Sequence, residues 1–108
     1  MPDTSRIRAL NDQFRKSFLG GQVLVALRVQ ALSASLLQEL VRKVQSFDQF
    51  SPDNDPHGEH DFVSVEVAGE TYFAKIDYYG PSMTAGSEDP ADPAKTTRVL
   101  TIMHSSEY

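Results

Sequence analysis

Residues 62–79 read F-V-S-V-E-V-A-G-E-T-Y-F-A-K-I-D-Y-Y, and their alternation decides the fold. Apolar side chains recur at every second position on both sides of Ala68-Gly69, as in strands with one buried face. The A-G-E sequence at 68–70 is typical of a hairpin turn. A loop of two or four residues preserves strand parity, so the valines of the first strand face the same side as the aromatic and aliphatic residues of the second. The segment therefore predicts a β-hairpin with one core-facing surface.

Two segments before the hairpin have the three- and four-residue apolar spacing of amphipathic helices. They are residues 4–18, with Ile7, Leu10, Phe14 and Phe18 on the stripe, and residues 34–47, with Leu36, Leu40, Val44 and Phe47. The first helix is expected to end at Gly20-Gly21, because glycine tolerates the left-handed conformation of a helix C-terminus. Either Ser33 or Ser35 can cap the start of the second.

Two further segments complete the predicted sheet. Residues 22–30 alternate with period two and predict a strand with one buried face. Residues 96–104 have apolar side chains on both faces, which is typical of a central strand. The order α-β-α-β-β-β predicts an α+β fold, with a mostly antiparallel four-stranded sheet and both helices on one face. The last three strands are expected to form a meander.

The bulk composition restricts the classes of protein that fit. A chain of 108 residues has the size of one domain, so we expect residues 1–108 to share one core. The sequence contains no cysteine, which excludes disulfides, cysteine-ligated zinc and a thiol nucleophile. No apolar run reaches the roughly 20 residues of a membrane helix, and the first residues lack the apolar core of a signal peptide. These features predict a cytoplasmic protein that does not act at a membrane.

The formal net charge is −5, and the charges are distributed unevenly along the chain. Residues 1–47 carry a net charge of +4, residues 48–94 a net charge of −10 and residues 95–108 a net charge of +1. Such asymmetry is typical of an acidic surface that binds a basic protein or a metal ion. It equally allows the basic helices and the acidic loops to neutralise each other within the fold. Because nucleic-acid-binding domains are usually basic, direct binding to nucleic acid is not expected.

Residues 51–61 read S-P-D-N-D-P-H-G-E-H-D and combine carboxylates and imidazoles with prolines and a glycine. A calcium-loop frame starting at Asp53 fails, because its twelfth position is Ser64 where a bidentate glutamate is needed. Imidazole and carboxylate together suit zinc, manganese or iron. The candidate ligands for such a divalent metal are His57, His60 and Asp61. The same stretch is also typical of a solvated turn, since Asx side chains, proline and glycine all favour turns.

Several blocks of the chain resemble one bacterial family. The most specific are F-S-P-D-N-D-P-H-G-E-H-D-F at 50–62, G-S-E-D-P-A-D-P at 86–93 and R-V-L-T-I-M-H-S-S-E-Y at 98–108. With shorter blocks, the resemblance covers residues 6–108 and is to the family called domain of unknown function 3768. It implies little about function, since similar proteins are small products of alphaproteobacterial chromosomes and plasmids without an assigned activity. No catalytic residue follows from the resemblance.

The acidic loops suggest where a partner would bind. Residues 48–61 and 86–92 precede the second and fourth strands, so the loops meet if these strands start at the same end of the sheet. The expected binding surface consists of Asp53, Asp55, Glu59, Asp61, Glu88, Asp89 and Asp92. The sequence therefore favours a non-catalytic interaction protein with a basic protein partner. For a plasmid-associated family, nucleic-acid mimicry against a defence system is one concrete form of this hypothesis.

A different hypothesis makes the first loop the centre of a divalent-metal-dependent hydrolase or nuclease. Its ligands or base would be Asp53, Asp55, Glu59, His60 and Asp61. The sequence has no phosphate-binding glycine loop and no nucleophilic serine motif, so it assigns no catalytic residue and requires no cofactor. A third hypothesis places the function elsewhere, for example on the hairpin surface that carries Phe73 and Tyr79.

Overall fold

The computed structural model describes residues 3–108, where the expected order of elements is present with one added helical turn. The helices are α1 (Thr4–Ser17), α2 (Leu27–Gln30) and α3 (Ala34–Ser46). The strands are β1 (Gly21–Val25), β2 (Phe62–Val67), β3 (Glu70–Tyr79) and β4 (Thr97–His104). Short 3-10 turns at Pro93–Lys95 and Ser105–Glu107 precede and follow β4.

The four strands form one mixed sheet in the order β1-β4-β3-β2. β2, β3 and β4 are an antiparallel meander, and β1 pairs with β4 in parallel. The α+β class and the mostly antiparallel sheet are therefore confirmed. β4 is central, as its apolar pattern predicts: Leu100 and Ile102 are buried on one face, and Val99 and Met103 on the other.

The hairpin between β2 and β3 turns on two residues with left-handed backbone conformation. Ala68 has φ 53° and Gly69 has φ 77°, and Val67 pairs directly with Glu70. Positive φ at both central residues is the type I′ geometry, whose twist matches the twist of the strands that it joins. Glycine adopts this conformation without steric cost, whereas alanine does not.

α1 and α3 lie on the same face of the sheet and share its core. Phe14 of α1 and Leu40 and Val44 of α3 pack with Leu100 and Ile102 of β4. Asp3 caps α1 by accepting the Arg6 N–H, and Ser33 rather than Ser35 caps α3 by accepting the Leu36 N–H. Within residues 3–108, no α-helix covers the other face of the sheet.

The expected strand over residues 22–30 is wrong in its second half. β1 ends at Val25, and Leu27–Gln30 form the helical turn α2. The chain leaves the sheet here because it must cross the helical face to α3, and the turn places Val29 fully inside the core. The alternation of apolar residues that predicted a longer strand is explained by the short strand β1 followed by α2, in which Val29 faces the core.

The expected end of α1 at Gly20-Gly21 is also displaced. Phe18 takes the left-handed conformation with φ 61°, and its N–H donates to the Phe14 carbonyl oxygen at 2.7 Å. Gly21 is needed for a different reason. A Cβ at this position would lie 2.5 Å from the Arg98 carbonyl oxygen and 2.7 Å from the Phe14 ring. The glycine therefore allows β1 to approach β4 beneath α1.

Strand directions bring the two acidic loops to one end of the sheet. β2 and β4 are both antiparallel to β3, and β1 is parallel to β4, so β1, β2 and β4 begin at the same end. The first loop (residues 47–61) leads into β2, and the second loop (residues 80–96) leads into β4. We call this the loop end of the sheet, and the opposite one the hairpin end. Across residues 3–108, no helix has the length and apolar character needed to span a membrane.

Candidate functional site

Three polar side chains from three elements form a buried cluster at the loop end. Asn11 of α1 is 0% exposed, and Arg98 of β4 is 4% exposed. Arg98 Nε donates to Asn11 Oδ1 at 2.8 Å, and Asn11 Nδ2 donates to the Tyr78 hydroxyl at 2.7 Å. The Arg98 guanidinium also lies over the Tyr78 ring, 5.3 Å from its centroid. The cluster satisfies polar groups that would otherwise be costly to bury.

This cluster attaches both loops to the sheet. Asn11 Nδ2 donates to the Glu59 carbonyl oxygen at 3.0 Å, and the Tyr78 hydroxyl donates to Glu59 Oε1 at 2.6 Å. From the other side, Arg98 Nη2 donates to the carbonyl oxygen of Pro90 in the second loop. We call Asn11, Glu59, Tyr78 and Arg98 the loop anchor. It joins the first loop, the second loop and α1 through β3 and β4.

The electrostatics of the loop anchor fit a structural role. Burial raises the pKa of Tyr78, and the hydrogen bond to Glu59 raises it further, so the phenol remains a donor. Burial lowers the pKa of Arg98, while Tyr78 and Glu59 oppose that shift. The guanidinium remains charged at neutral pH because arginine starts from so high a value. Neither side chain therefore exchanges a proton near neutral pH.

His60, a predicted metal ligand, holds the first loop against α1. Its Nδ1 lies 2.8 Å from Asp12 Oδ1 of α1, and its Nε2 lies 3.6 Å from Asp55 Oδ2. The ring stacks on Phe50 with centroids 3.7 Å apart. The backbone N–H of His60 donates to Asp55 Oδ1 at 3.1 Å, and φ is 55°. Both ring nitrogens therefore face carboxylates that already belong to the packing of this loop.

The seven acids expected to form a binding surface have four kinds of environment. Asp53 and Glu88 are exposed at the surface of the two loops. Asp55, Asp89 and Asp92 accept backbone N–H groups within their own loops, from His60, Ala91 and Ala94 respectively. Glu59 belongs to the loop anchor. Asp61 is half-buried, and burial, followed by the nearby Glu59 and Asp55 charges, raises its pKa.

The structure does not bring the expected metal ligands together as one set. Within residues 3–108, no group of three or more His, Cys, Asp or Glu side chains is placed to hold a metal ion. His57 is exposed and lines an open hollow of about 450 Å³ together with Arg8 and His60. Arg8 Nη1 donates to the Gly58 carbonyl oxygen at 3.0 Å, so a positively charged guanidinium is held in the lining of this hollow. A basic side chain at that position opposes the binding of a metal cation.

A second polar cluster lies at the hairpin end. His104 Nε2 lies 3.0 Å from Glu70 Oε1, and His104 Nδ1 lies 2.8 Å from Ser106 Oγ. Carboxylate, imidazole and hydroxyl follow one another in this order in the catalytic triads of acyl-transfer enzymes. Nδ1 also accepts the Ser106 backbone N–H at 3.0 Å, and Arg28 Nη1 lies 3.1 Å away. These N–H groups only donate, so they occupy the lone pair that a general base would need.

The same cluster has a structural explanation as a cap. Glu107 accepts the backbone N–H of His104 at 2.9 Å and that of Arg28 at 3.1 Å. Together with the Ser106 N–H on the His104 ring, the bond from the His104 N–H to Glu107 forms a capping box around the last 3-10 turn. The backbone donor of Arg28 lowers the pKa of Glu107 most strongly. The cluster therefore attaches the end of the chain to α2 and β4.

Three members of the loop anchor were not identified from the sequence. Asn11 and Arg98 were not singled out, and the hydrogen bonds of the Tyr78 hydroxyl were not foreseen. One signal was present. Asn11 lies four residues after Ile7 and three before Phe14, so it occupies the apolar stripe of α1. A polar residue on a buried stripe requires a partner. The identity of its partners could not be deduced, because Tyr78 and Arg98 are 67 and 87 positions away.

The comparisons with known proteins identify a family. Residues 25–107 match the family model described as Protein of unknown function (DUF3768). Neither the curated proteins nor the solved structures gave a match. The matched segment contains β2, β3, β4 and both loops, and three members of the loop anchor: Glu59, Tyr78 and Arg98. Since the match covers well over half of the sequence, the chain belongs to the DUF3768 family.

Proposed function

We propose that this protein is a non-catalytic interaction protein whose two loops present carboxylates to a basic protein partner. The observation that carries the proposal is the loop anchor. Arg98 contacts Pro90 of one loop directly and, through Asn11, reaches Glu59 of the other. Loops tied to rigid elements at one end of a sheet need little ordering on binding, which favours recognition.

The charges of the two loops support a basic partner. Residues 48–94 contain eleven acidic side chains and one lysine. Concentrated negative charge attracts cationic surfaces and raises association rates. Asp53 and Glu88, the two exposed members of the expected surface, are the best contact residues, because the carboxylates of Asp55, Asp89 and Asp92 already cap backbone groups.

Within residues 3–108, the buried polar side chains all have hydrogen-bond partners in the protein, and this supports a binding protein rather than an enzyme. In the part of the chain that the structure covers, every buried side-chain nitrogen and oxygen has a hydrogen-bond partner. Catalytic sites commonly retain polar groups that await a substrate. Here the histidines with close polar contacts, His60 and His104, have their ring nitrogens engaged by carboxylates or N–H donors.

The test is affinity capture from a lysate of the source cells, with the protein immobilised. We expect the wild type to retain a basic protein that elutes as the salt concentration rises, because salt screens exposed charges. The variant Asp53→Asn/Glu88→Gln should retain much less of it. The matched control Glu39→Gln/Glu66→Gln removes the same charge outside both loops and should behave as the wild type. Capture that is indifferent to salt and to the loop variant contradicts the proposal.

Nucleic-acid mimicry is the concrete form of this proposal for a protein that resembles plasmid products. A mimic and DNA occupy the same cationic surface, so duplex DNA should displace the captured partner at low salt. The displacement is measured by adding duplex DNA to the loaded resin. If DNA leaves the partner bound, the mimicry form fails while the interaction proposal stands.

A further inference from the structure

β1 is an edge strand whose outward backbone groups are bordered by exposed apolar side chains. In the described part of the chain, residues 3–108, β1 lies at one side of the sheet and pairs only with β4. The Ala26 N–H donates to the Ile102 carbonyl oxygen of β4 at 3.0 Å. Because successive residues of a strand point their backbone groups to opposite sides, the N–H and C=O of Val23 face away from the sheet. In agreement, the Val25 carbonyl oxygen accepts Gln30 Nε2 on that outer side at 2.9 Å.

Exposed leucines surround this edge. Leu19, Leu24 and Leu27 are 75%, 52% and 77% exposed, and they are three of the five large apolar side chains exposed in residues 3–108. No charged residue occurs from Ser17 to Leu27. Natural proteins usually protect an edge strand with charge, proline or a covering element, since a bare apolar edge recruits another strand.

The opposite edge of the same sheet, β2, is protected in this way. Lys43 Nζ donates to the Glu66 carbonyl oxygen at 2.6 Å, so a cation covers an outward acceptor of β2. The Glu66 side chain is itself exposed and charged. Each edge has an outward carbonyl oxygen covered by a side chain, but the covering group is a cation on β2 and the neutral Gln30 amide on β1. This contrast in charge indicates that β1, and not β2, is adapted for pairing.

The local sequence is suited to a second copy of the same chain. In an antiparallel pair centred on Val23, Gly21 lies opposite Val25 of the other copy, and Gln22 lies opposite Leu24. Leu19 and Leu27 flank β1, each four residues from the centre, so the two-fold axis brings Leu19 of one copy to the same end of the interface as Leu27 of the other. Val23 is an outward-facing residue, so the two central valines can exchange N–H···O=C bonds.

We propose that two copies of this protein pair antiparallel through β1 about a two-fold axis at Val23, which joins their sheets into one eight-stranded sheet. The partner strand is neutral along its whole contact, so no like charges oppose the pairing. Gln30 releases the Val25 carbonyl oxygen when the outer bonds form. The interface lies at a side edge of the sheet, and the antiparallel arrangement keeps the two loop ends apart. The dimer is therefore independent of the proposed binding function of the loops.

The first test is the mass in solution by light scattering during size-exclusion chromatography. At concentrations up to the hundred-micromolar range we expect twice the chain mass of 12.0 kDa. Val23→Pro removes an outward N–H without touching the bonds to β4, and proline is tolerated on such edges; it should give the monomer mass. Ser64→Pro makes the equivalent change on β2 and should remain dimeric. A wild type that stays monomeric, or a dimer that persists in Val23→Pro, overturns the proposal.

The second test reports the register and does not depend on a proline. The chain has no cysteine, so introduced thiols are the only ones present. Gln22 and Leu24 form a non-hydrogen-bonded pair across the proposed interface, with Cα atoms about 4.5 Å apart, a spacing that a disulfide bridges. Gln22→Cys/Leu24→Cys should form the covalent dimer on mild oxidation, and Ser64→Cys/Glu66→Cys should not. Absence of the first cross-link, or a stronger second one, overturns the proposal.

Discussion

At the scale of single residues, the loop anchor explains why polar side chains occupy the core. Asn11 and Arg98 are both buried, yet the Asn11 amide uses its oxygen and both of its N–H groups, and Arg98 donates from Nε and Nη2. Buried polar networks of this kind specify one arrangement of the elements around them, because a partial loss leaves groups unpaired. The residues that fix the loops are therefore not those that would contact a partner.

Asn11→Ala tests the loop anchor. The change removes the acceptor for Arg98 Nε and the donor for the Glu59 carbonyl oxygen. We expect the free energy of unfolding to fall by about 2–3 kcal/mol, because buried groups lose their partners. Urea denaturation measures the change. Gln13→Ala, an exposed position on the same helix, is the control and should stay within about 0.5 kcal/mol of the wild type. An equal effect of both changes would contradict the role of the anchor.

Asp61→Asn tests the electrostatics of the first loop. The pKa of Asp61 is raised in the folded state, mainly by burial, so the folded protein binds this proton more tightly than the unfolded chain does. Its contribution to stability is present at low pH and is lost as the pH rises through the folded pKa.

At pH 7 the ionised Asp61 therefore destabilises the fold, and the asparagine removes that penalty. We expect Asp61→Asn to increase the free energy of unfolding, by less than about 1 kcal/mol because the group is partly solvated. The gain should disappear as the pH falls to about 4. Urea denaturation at both pH values measures it, and the exposed Asp53→Asn serves as control. A destabilised Asp61→Asn at pH 7 would show that the carboxylate makes a favourable contact.

At the scale of elements, apolar periodicity predicts most of this fold. Both long helices and the hairpin appear within a residue or two of their expected bounds, because each has a continuous stripe facing one core. The end of β1 could not be predicted in this way. Val25, Leu27 and Val29 continue the alternation of a strand, so their pattern alone predicts no break. The structure instead forms the helical turn α2, which buries Val29 in the core where the chain passes from β1 to α3.

Ala68→Gly tests the geometry of the hairpin. Ala68 has φ 53°, a conformation that costs an L-residue roughly 1–2 kcal/mol relative to glycine. Part of this gain is offset by the greater flexibility of the unfolded glycine chain, so we expect a net stabilisation of about 1 kcal/mol. The midpoint of denaturant unfolding reports the change. Ala9→Gly in the exposed surface of α1 should have the opposite sign, with a loss of about 1 kcal/mol.

At the scale of the whole molecule, strand direction decides where the acidic loops meet. The sequence predicts that the loops converge only if the second and fourth strands start at the same end, and the antiparallel meander satisfies this condition. The detailed surface could not be predicted. Four of the seven expected acids cap turns or join the anchor. The anchoring of Glu59 depends on Tyr78 and Asn11, which lie 19 and 48 positions away, and the local caps depend on loop conformations that apolar periodicity does not define.

The two proposed surfaces occupy different parts of the molecule. The loops lie at one end of the sheet, whereas the β1 edge lies along its side. A dimer through β1 would present two separate loop ends to two partners or to two sites on one partner. Bivalent presentation of this kind raises the apparent affinity without any new contact.

The central claim is that the two anchored loops form the surface that a basic partner contacts. Amide hydrogen exchange of this protein, with and without the captured partner, tests it most directly, because bound segments exchange more slowly. We expect new protection in residues 47–61 and 80–96 together, and none at the hairpin turn around Ala68. Protection confined to the hairpin end or to the sheet face opposite α1 and α3, with both loops unchanged, would contradict the claim.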